Sequence, residues 1–204
     1  MLATRADAVA LPTPKRTGSV PVESVLGTRR SLREFAASAL SLAELSQLLW
    51  AAQGLTAPDG RRTAPSAGAL YPLELSVVVG EVTGLSAGVY RYEPAGHRLI
   101  PVVTGDRRRA LAAAAVGQDW MRGAPAAFVI AAVFSRTERK YGERGPQYVH
   151  FEAGCAAENL ALQATALGLG TVVVGAFEDG EVAAVAALDK RERPLAILPV
   201  GRPR

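Results

Sequence analysis

The sequence predicts an α+β fold in a single domain, and three observations lead to that prediction. The chain has 204 residues, a length typical of one domain. Its composition, 49% hydrophobic and 21% charged, is ordinary for a protein with a globular core. Stretches with apolar residues at helical spacing alternate with short runs rich in valine and isoleucine, and turn-forming Gly and Pro separate them.

The first twenty residues are predicted to form a loose N-terminal arm, with the folded domain over residues 21–204. A short helix then begins with Pro21 in its first turn. The clearest helix follows, because Ser41 and Glu44 form a capping box, leucines recur on one face, and Gly54 ends it. A loop rich in Gly, Pro and Ser, "APDGRRTAPSAGALYP", comes next.

The second half of the chain contains a long, mostly apolar helix, "QYVHFEAGCAAENLALQATALGLG", that is predicted to end at Gly168 and Gly170. It either lies at the centre of the domain or packs partly on a second subunit. Small residues such as Gly154, Ala156 and Ala157 permit close approach in both cases. Short helices are predicted from Asp106 and in "DGEVAAVAAL". The predicted strands are "LELSVVVG", "GVYRYEP", "HRLIPVV", "APAAFVIAAVFS", "TVVVGAF" and "RPLAILPVG". The second and third of these strands form a predicted hairpin.

Charge and composition exclude several classes of protein. A net charge of +4 is too weak an excess to predict nucleic-acid binding. No apolar run approaches membrane-spanning length, and the N-terminus has no signal-peptide core. The single Cys155, which we expect in the core, fits a reducing compartment, so we expect a cytoplasmic protein. His97 and His150 have no second ligand at metal spacing, so no metal site is predicted.

The segment "GTRRSLREF" has the strongest chemical signal, because three guanidiniums surround one hydroxyl: Arg29, Arg30, Arg33 and Ser31. Guanidinium groups bind phosphate oxygens in pairs, and a hydroxyl or backbone N–H groups near a helix end complete such a site. The segment therefore predicts an anion site. The alternative is a solvated basic turn in which Arg33 pairs with Glu34 or Glu44.

Two further stretches are candidates for function. Ser66, Ala67 and Gly68 in "APSAGALYP" can bring backbone close to a flat ligand, although a plain surface connection would have the same composition. Lys140 and Tyr141 are adjacent in the cation-rich "RTERKYGERG". Nearby cations or desolvation would favour the uncharged amine that a base requires, and the alternative is a solvated basic loop.

Five motifs, "RRSLREF", "APSAGALYPLE", "RTERKYG", "FEAGCAAENLALQATALGLGTVVVGAF" and "PLAILPVG", come in an order and spacing that resemble the flavin-dependent nitroreductase superfamily. Within it the chain is most similar to the SagB-type dehydrogenases, the azoline oxidases of ribosomal-peptide biosynthesis. The resemblance covers roughly residues 11–201. It implies a three-layer fold, with a mixed, mostly antiparallel sheet between helices, and an intertwined homodimer with two FMN sites at the interface.

The resemblance also implies which residues contact FMN. Arg29 and Ser31 would contact the phosphate and ribityl chain with Arg30 beside them, and Arg33 would reach the N1/O2 edge of the ring, where a cation stabilises the reduced form. The loop residues Ser66, Ala67 and Gly68 would pack against the flavin of the neighbouring subunit. The backbone at Gly175, preceded by Val174, would hydrogen-bond flavin N5. Arg202 and Arg204 follow "PVG" and could close over the phosphate.

The implied reaction is the oxidation of azolines to azoles in a small-molecule or modified-peptide substrate. Flavin N5 would receive the hydride, and Lys140 or Tyr141 would accept the proton. A cyclodehydratase partner is implied with this activity. The alternative on the same scaffold is a general NAD(P)H-dependent nitro- or quinone reductase. The sequence has no G-x-G-x-x-G motif after a strand, so no separate dinucleotide-binding domain is predicted. A third alternative is a non-catalytic binder of a phosphorylated ligand or RNA.

Overall fold

A seven-stranded sheet forms the centre of the computed structural model, which describes residues 8–204. The strands of the described chain are β1 (Val9–Ala10), β2 (Leu40–Ser41), β3 (Leu73–Val79), β4 (Val82–Thr83), β5 (Gly88–Glu93), β6 (Arg98–Thr104), β7 (Ala126–Ala132), β8 (Gly170–Thr171) and β9 (Arg193–Gly201). The sheet has the order β1-β6-β5-β3-β7-β9-β8, and its neighbours pair antiparallel. Strands β2 and β4 pair parallel in a separate ribbon.

Helices cover both faces of this sheet, which gives the predicted three layers. They are α1 (Val22–Thr28), α2 (Leu42–Gln53), α3 (Arg108–Ala114), α4 (Ser135–Tyr141), α5 (Gly145–Ala166) and α6 (Asp179–Val185). Alternate residues of one strand serve different cores, as strand geometry requires. Val77 packs into the cluster that contains α2 and α5, whereas Val78 packs into the cluster that contains α3 and α6. Across residues 8–204, no helix has the length and hydropathy needed to cross a membrane.

Local sequence signals predicted several elements correctly. The capping box at α2 is present, because the Ser41 hydroxyl accepts from the Glu44 amide at 3.2 Å and the Glu44 carboxylate accepts from the Ser41 amide at 2.8 Å. The predicted hairpin is formed by β5 and β6, and "RPLAILPVG" is strand β9. Gly168, with a φ of 70°, follows the end of α5 as a left-handed residue.

Two boundary predictions were wrong, and one open alternative is decided. The stretch "TVVVGAF" is not one strand, because only Thr171 and Val174 pair with β9 and the backbone leaves the sheet edge between them. The alternative of a loop for "RTERKYG" does not hold, because this stretch is helix α4. Its Arg, Glu and Lys favour a helix, which Gly142 ends at a φ of 52°. Helix α5 begins earlier than predicted, at Gly145, because Pro146 suits a first helical turn.

The described part of the N-terminal arm is not loose. Val9 pairs with Leu99 in the sheet, and Leu11 is buried in the core. The Lys15 amide donates to the Gln47 side chain at 2.8 Å. The first seven residues of the predicted arm lie outside the described residues.

Candidate active site

The arginine segment, Arg29–Arg33, lies beside strand β8. Ser31 forms a parallel bridge with Thr171, and the Leu32 amide donates to the Thr171 carbonyl at 3.0 Å. The Leu32 side chain fills the space where a Cβ at Gly170 would lie, only 2.3 Å from Cδ2, so this close approach requires glycine. The predicted phosphate-binding segment is therefore fixed by its backbone against the strand that leads to Gly175.

The guanidiniums of this segment are only weakly engaged within the chain. Arg29 Nε lies 3.5 Å from a Glu158 carboxylate oxygen, and the two side chains are 37% and 50% exposed. Arg30 is exposed and donates to the backbone carbonyl oxygens of Gly27 and Arg29. Exposed ion pairs contribute about 1 kcal/mol or less. The first two arginines are thus accessible for an anion.

Arg33 does not pair with Glu44, which was one alternative for this segment. Its guanidinium carbon lies 6.0 Å from the centre of the Trp120 ring. Glu44 instead accepts from Arg202 Nη2 at 2.8 Å. The Arg202 carbonyl accepts from the Ala36 amide, which ties the C-terminal residues to the segment that follows Arg33. The Arg202 side chain is therefore committed to Glu44, and Arg204 is exposed.

The backbone at Val174 is not available for a ligand. Its amide donates to the Ile197 carbonyl at 2.8 Å, and its carbonyl accepts from the Ile197 amide at 3.0 Å. Gly175 is exposed, and a Cβ built on it would meet nothing within 4 Å in the described chain. Of Val174 and Gly175, only Gly175 can therefore offer a free amide to a flat ring.

A second group of predicted residues lies on the loop from Ser66 to Tyr71. Gly68, Ala69 and Tyr71 have φ angles of 63°, 55° and 46°, so the loop is left-handed at three positions, two of which are not glycine. Ala67 is half-buried in the 3₁₀ turn Ala67–Ala69 of this loop. The Ser66 hydroxyl accepts from the Tyr71 amide at 2.8 Å and closes the loop.

Arg136 on helix α4 and Arg62, which precedes the loop, both contact Tyr71 and stabilise the left-handed conformation of the loop. The Arg136 guanidinium donates to the Tyr71 carbonyl at 3.0 Å and also to Glu74. The Arg62 guanidinium carbon lies 4.6 Å from the centre of the Tyr71 ring, within cation–π distance. These contacts offset the strain of non-glycine residues at positive φ.

The structure brings the loop together with the predicted catalytic pair. A Cβ at Gly68 would lie 2.8 Å from both Lys140 Nζ and the Tyr141 hydroxyl oxygen. Lys140 is exposed, with Nζ 5.4 Å from the centre of the Tyr141 ring, and Tyr141 is half-buried with its ring edge-on to Tyr148. A lysine amine, a phenol and an exposed loop glycine therefore share one surface.

The arginine segment and the Lys140–Tyr141 pair lie near opposite ends of strand β9. Helix α4 follows Ala132, which pairs with Arg193 at the start of β9, whereas Thr171 pairs with Val200 near its end. Val174 pairs with Ile197 in between, about 10 Å along β9 from the Val200 position. Gly175 thus lies between the arginine segment and the Lys140 end of the sheet.

One buried titratable residue was missed by the sequence analysis. Glu152 is only 3% exposed on the inner face of α5. Burial raises the pKa of its carboxyl to about 7, although a hydrogen bond from Ser66 and the charge of Arg62 act in the other direction. The only sequence signal for it is that a glutamate, one of two in α5, stands among the small apolar residues of this helix.

The remaining candidate residues have structural surroundings. His97 lies in the β5–β6 turn, with the Tyr92 hydroxyl 2.8 Å from Nδ1 and the Ser46 hydroxyl 2.7 Å from Nε2. His150 is exposed on α5 beside the Phe134 ring, and Cys155 packs against the main core. Residues 8–204 include no cluster of three His, Cys, Asp or Glu side chains placed to hold a metal ion.

This combination of a three-layer antiparallel sheet with an arginine segment at its edge defines a family of oxidoreductases. The chain belongs to the nitroreductase family, whose model matches residues 26–202. It is 48% identical over 183 residues to the nitroreductase-family protein MJ1384 of Methanocaldococcus jannaschii, a match that covers 90% of this chain and 91% of that protein. A crystal structure of a nitroreductase-family protein from Ralstonia eutropha covers all of this chain and 92% of its own, with a TM-score of 0.86 and 32% identity.

A second relative is the microcin B17-processing protein McbC of Escherichia coli. It is 32% identical over 160 residues, which cover 74% of this chain but only 58% of McbC. The structure of the microcin synthetase McbBCD complex with truncated pro-MccB17 bound contains a chain that is 28% identical, with a TM-score of 0.74, and the match covers 96% of this chain and 78% of that one. The chain is thus similar both to nitroreductases and to a peptide-processing protein.

Members of the nitroreductase family generally use a flavin, and the residues present here fit one. Arg29 and Arg30 are accessible cations beside the Ser31 hydroxyl, which suits a phosphate group. Gly175 follows Val174, whose partner on β9 lies about 10 Å from the partner of Thr171, and the open space at Gly175 would admit a flat ring that a side chain there would obstruct. Residues that fit the phosphate and residues that fit the ring of a flavin therefore occur in the same chain.

Proposed function

We propose that this protein is an FMN-dependent dehydrogenase of the SagB type that oxidises azolines to azoles in peptide-derived substrates. The observation that carries the proposal is the close approach of Gly68 to both Lys140 and Tyr141. An adjacent lysine and tyrosine placed against an exposed loop glycine form a surface on which a substrate carbon can lose a proton. The similarity to McbC supports this choice within the family.

The cofactor would be held mainly by the arginine segment. Arg29 and Arg30 would bind the phosphate with the Ser31 hydroxyl, and Arg33 would neutralise the N1/O2 edge of the ring. The Gly175 amide would donate to N5, since the Val174 amide is already paired with Ile197. When bound, FMN supplies the hydride acceptor. Arg202 and Arg204 would add positive charge nearby, although Arg202 is engaged with Glu44.

Lys140 and Tyr141 would handle the proton. Conversion of an azoline to an azole removes a proton from one ring carbon and a hydride from the neighbouring carbon, so a base is required in addition to the hydride acceptor. Lys140 Nζ and the Tyr141 hydroxyl lie on the same side of Gly68, and both reach the space that its missing side chain leaves free. Either group can accept the proton, and the other can stabilise the charge that develops.

A homodimer would complete this site. Apolar residues are exposed on the outer faces of α1 and α5, where Val22, Leu26 and Phe151 are 57%, 57% and 59% exposed. A groove of about 310 Å³ lies between these helices and Trp50. A second copy that covers this surface would bury the apolar side chains. It would also bring the loop residues Ser66, Ala67 and Gly68 toward the flavin of the neighbouring subunit.

A partner enzyme would supply the azoline. McbC occurs in a complex named McbBCD that has truncated pro-MccB17 bound. We propose by analogy that a cyclodehydratase forms the azoline rings in a precursor peptide and that this chain then oxidises them. The substrate would accordingly be a modified peptide or a small molecule derived from one.

A general NAD(P)H-dependent nitro- or quinone reductase is the second candidate. The 48% identity to a nitroreductase-family protein of similar length favours it. Such an activity needs the flavin but no base for a carbon acid, so Lys140 and Tyr141 would have no chemical role. The two candidates therefore differ in what these two side chains do.

A single-turnover experiment tests the proposed function. The purified protein should have a flavin absorption spectrum, and mixing it without oxygen with a thiazoline-containing peptide should bleach that spectrum. Mass spectrometry should find one thiazole formed per flavin, with the loss of two hydrogen atoms. The matching thiazole peptide is the control and should leave the flavin oxidised. Absence of bleaching by any thiazoline, with rapid bleaching by NAD(P)H and turnover of nitroaromatics, would favour the reductase.

A further inference from the structure

Glu74 on strand β3 lies between two arginines, and the proposed function gives it no role. Its Oε1 accepts from Arg136 Nη2 on helix α4 at 2.5 Å, and its Oε2 lies 3.7 Å from Arg91 Nη1 on β5. The Glu74 side chain is only 21% exposed, so both interactions are partly shielded from water. The two oxygens of one carboxylate therefore face two different elements of the fold.

Arg91 does not depend on Glu74. Its guanidinium forms two parallel hydrogen bonds with the Glu192 carboxylate, of which the one from Nη2 to Oε2 measures 2.7 Å. Glu192 is buried, and its Oε2 also accepts from the Asp189 amide at 2.9 Å. Removal of Glu74 would leave Arg91 paired, so the main effect of Glu74 is on Arg136.

Arg136 is in a different position, because Glu74 is its only ion-pair partner within residues 8–204. The Arg136 side chain is 40% exposed, so without this carboxylate its guanidinium could turn into solvent. Its other hydrogen bond, at 3.0 Å, is to the carbonyl of Tyr71, and a neutral acceptor holds a guanidinium less strongly than a carboxylate does. Glu74 thus keeps Arg136 on the Tyr71 carbonyl.

The Arg136 side chain joins the Ser66–Tyr71 loop to the face of α4 that carries Lys140. Residues four apart lie one turn from each other on the same face of a helix, and Lys140 follows Arg136 by four. In the same loop, a Cβ at Gly68 would lie 2.8 Å from Lys140 Nζ. One turn of α4 therefore binds the end of the loop, and the next turn borders its glycine.

We propose that Glu74 is a positioning residue for Lys140 and Tyr141. By holding Arg136 on the Tyr71 carbonyl, it keeps helix α4 docked on the loop that both side chains border. Without Glu74 the helix would lose this contact, and the lysine and tyrosine would no longer be held at one place. The catalytic consequence rests on the proposed azoline oxidation, whereas the docking of α4 does not.

Hydrogen–deuterium exchange of the protein in excess FMN measures the docking directly. Glu74→Ala should raise exchange by about 10-fold in peptides that cover residues 66–72 and 135–141, because a charged hydrogen bond that holds them together is lost. Peptides that cover residues 88–93 of β5 should be unchanged, since Arg91 remains paired there.

Two further variants test the route through Arg136. Arg136→Met removes the guanidinium, and adding Glu74→Ala to it should raise exchange over residues 66–72 no further, because Glu74 acts only through that group. Glu81→Ala is the matched control, since Glu81 follows the far end of β3 and pairs with Arg108 at 3.0 Å. It should match the wild type in this loop.

Azoline oxidation in the same variants tests the catalytic consequence. Glu74→Ala should lower the rate at which a thiazoline peptide bleaches the flavin by about 10-fold at saturating FMN, because small displacements of catalytic groups are costly. In a variant that already carries Lys140→Ala and Tyr141→Phe, the same change should lower the rate by less than about twofold, since no positioned base remains. A merely structural role would slow both proteins to the same extent.

The outcomes separate this proposal from the proposed function. Unchanged exchange over residues 66–72 in Glu74→Ala would overturn the positioning role, and so would an equal rise with and without Arg136 or equal slowing with and without the Lys140 amine. Should Glu74→Ala fail to fold, Glu74→Gln takes its place, because the neutral amide holds the guanidinium more weakly, and unchanged exchange there would overturn the role. If the wild type oxidises no azoline, the proposed function fails, but exchange still decides whether Glu74 docks α4.

Discussion

Gly68 and Lys140 approach each other so closely that a Cβ at Gly68 would lie 2.8 Å from Lys140 Nζ. The same atom would lie 2.8 Å from the Tyr141 hydroxyl oxygen, and the residue has a φ of 63°. The positive φ favours glycine at this position, and a methyl group there would push the ends of both side chains aside. The loop and the proposed catalytic pair therefore share one surface, on which a single added methyl group would displace both side chains.

Gly68→Ala should lower azoline oxidation by about 10-fold to 100-fold while FMN remains bound, because the new methyl group pushes Lys140 and Tyr141 aside. The unfavourable φ should also cost about 1 kcal/mol of folding free energy. Gly180→Ala is the control, since a Cβ there would meet nothing within 4 Å. Steady-state oxidation rates and urea unfolding measure the two effects. Equal rates in the two variants would contradict the close contact.

Arg29→Ala should weaken FMN binding by roughly 10-fold to 100-fold, because a charged hydrogen bond to phosphate contributes about 1.5–3 kcal/mol. The fold should survive, since the exposed pair with Glu158 adds little. Titration of FMN into the apoprotein measures the affinity. Arg122→Ala, which removes an arginine paired with Asp119 elsewhere on the surface, should bind FMN normally. Unchanged affinity in Arg29→Ala would mean that the arginine segment serves another ligand.

Glu152 should make the protein less stable as the pH rises. Its carboxyl titrates near 4.5 when unfolded, whereas burial raises the pKa to about 7 in the folded chain. Between these values the folded state holds the extra proton, so its stability falls with rising pH and stays lower above 7. Glu152→Gln removes this titration. The free energy of unfolding of Glu152→Gln should therefore rise relative to the wild type by up to about 3 kcal/mol between pH 4.5 and pH 8.

Urea unfolding of both proteins at several pH values measures this difference. Glu181→Gln, which changes an exposed carboxylate, should differ from the wild type by the same amount at every pH. A Glu152→Gln difference that also stays constant with pH would show that the carboxyl is not proton-bound in the folded state at neutral pH.

The apolar surface on α1 should be a subunit interface. Leu26→Glu, at a residue that is 57% exposed, should convert a dimer into a monomer of about 21.3 kDa and weaken FMN retention. Val116→Glu is the matched control, because Val116 is 64% exposed but follows α3. Size-exclusion chromatography with light scattering gives the masses. A wild-type monomer that binds one FMN per chain would refute the shared site.

Elements with local signals could be predicted from the sequence. The α2 capping box depends on Ser41 and Glu44, which are three residues apart, and the β5–β6 hairpin depends on a short turn. The boundaries that failed depend on tertiary context. The residues after Thr171 could extend the strand only where they lie close enough to β9 to pair with it. Among them only Val174 does so, because it pairs with Ile197.

The candidate site was predictable as a set of residues but not as an arrangement. The motifs identified Gly68, Lys140 and Tyr141 separately, and only the fold shows that they meet. The pairing of Arg202 with Glu44 joins residues that are 158 positions apart, so no local pattern indicates it. Glu152 was missed for the same reason, because its partners lie on a distant loop.

The most direct test of the proposed function compares two reactions of the same variants. Lys140→Ala and Tyr141→Phe should purify with bound flavin and oxidise a thiazoline peptide about 10²–10⁴-fold more slowly, because a positioned base is lost. Their NAD(P)H-dependent reduction of a nitroaromatic should be almost unchanged, since that reaction needs no proton from carbon. Lys190→Ala, at another exposed lysine, should match the wild type in both reactions. Full thiazoline oxidation by both variants would contradict the account.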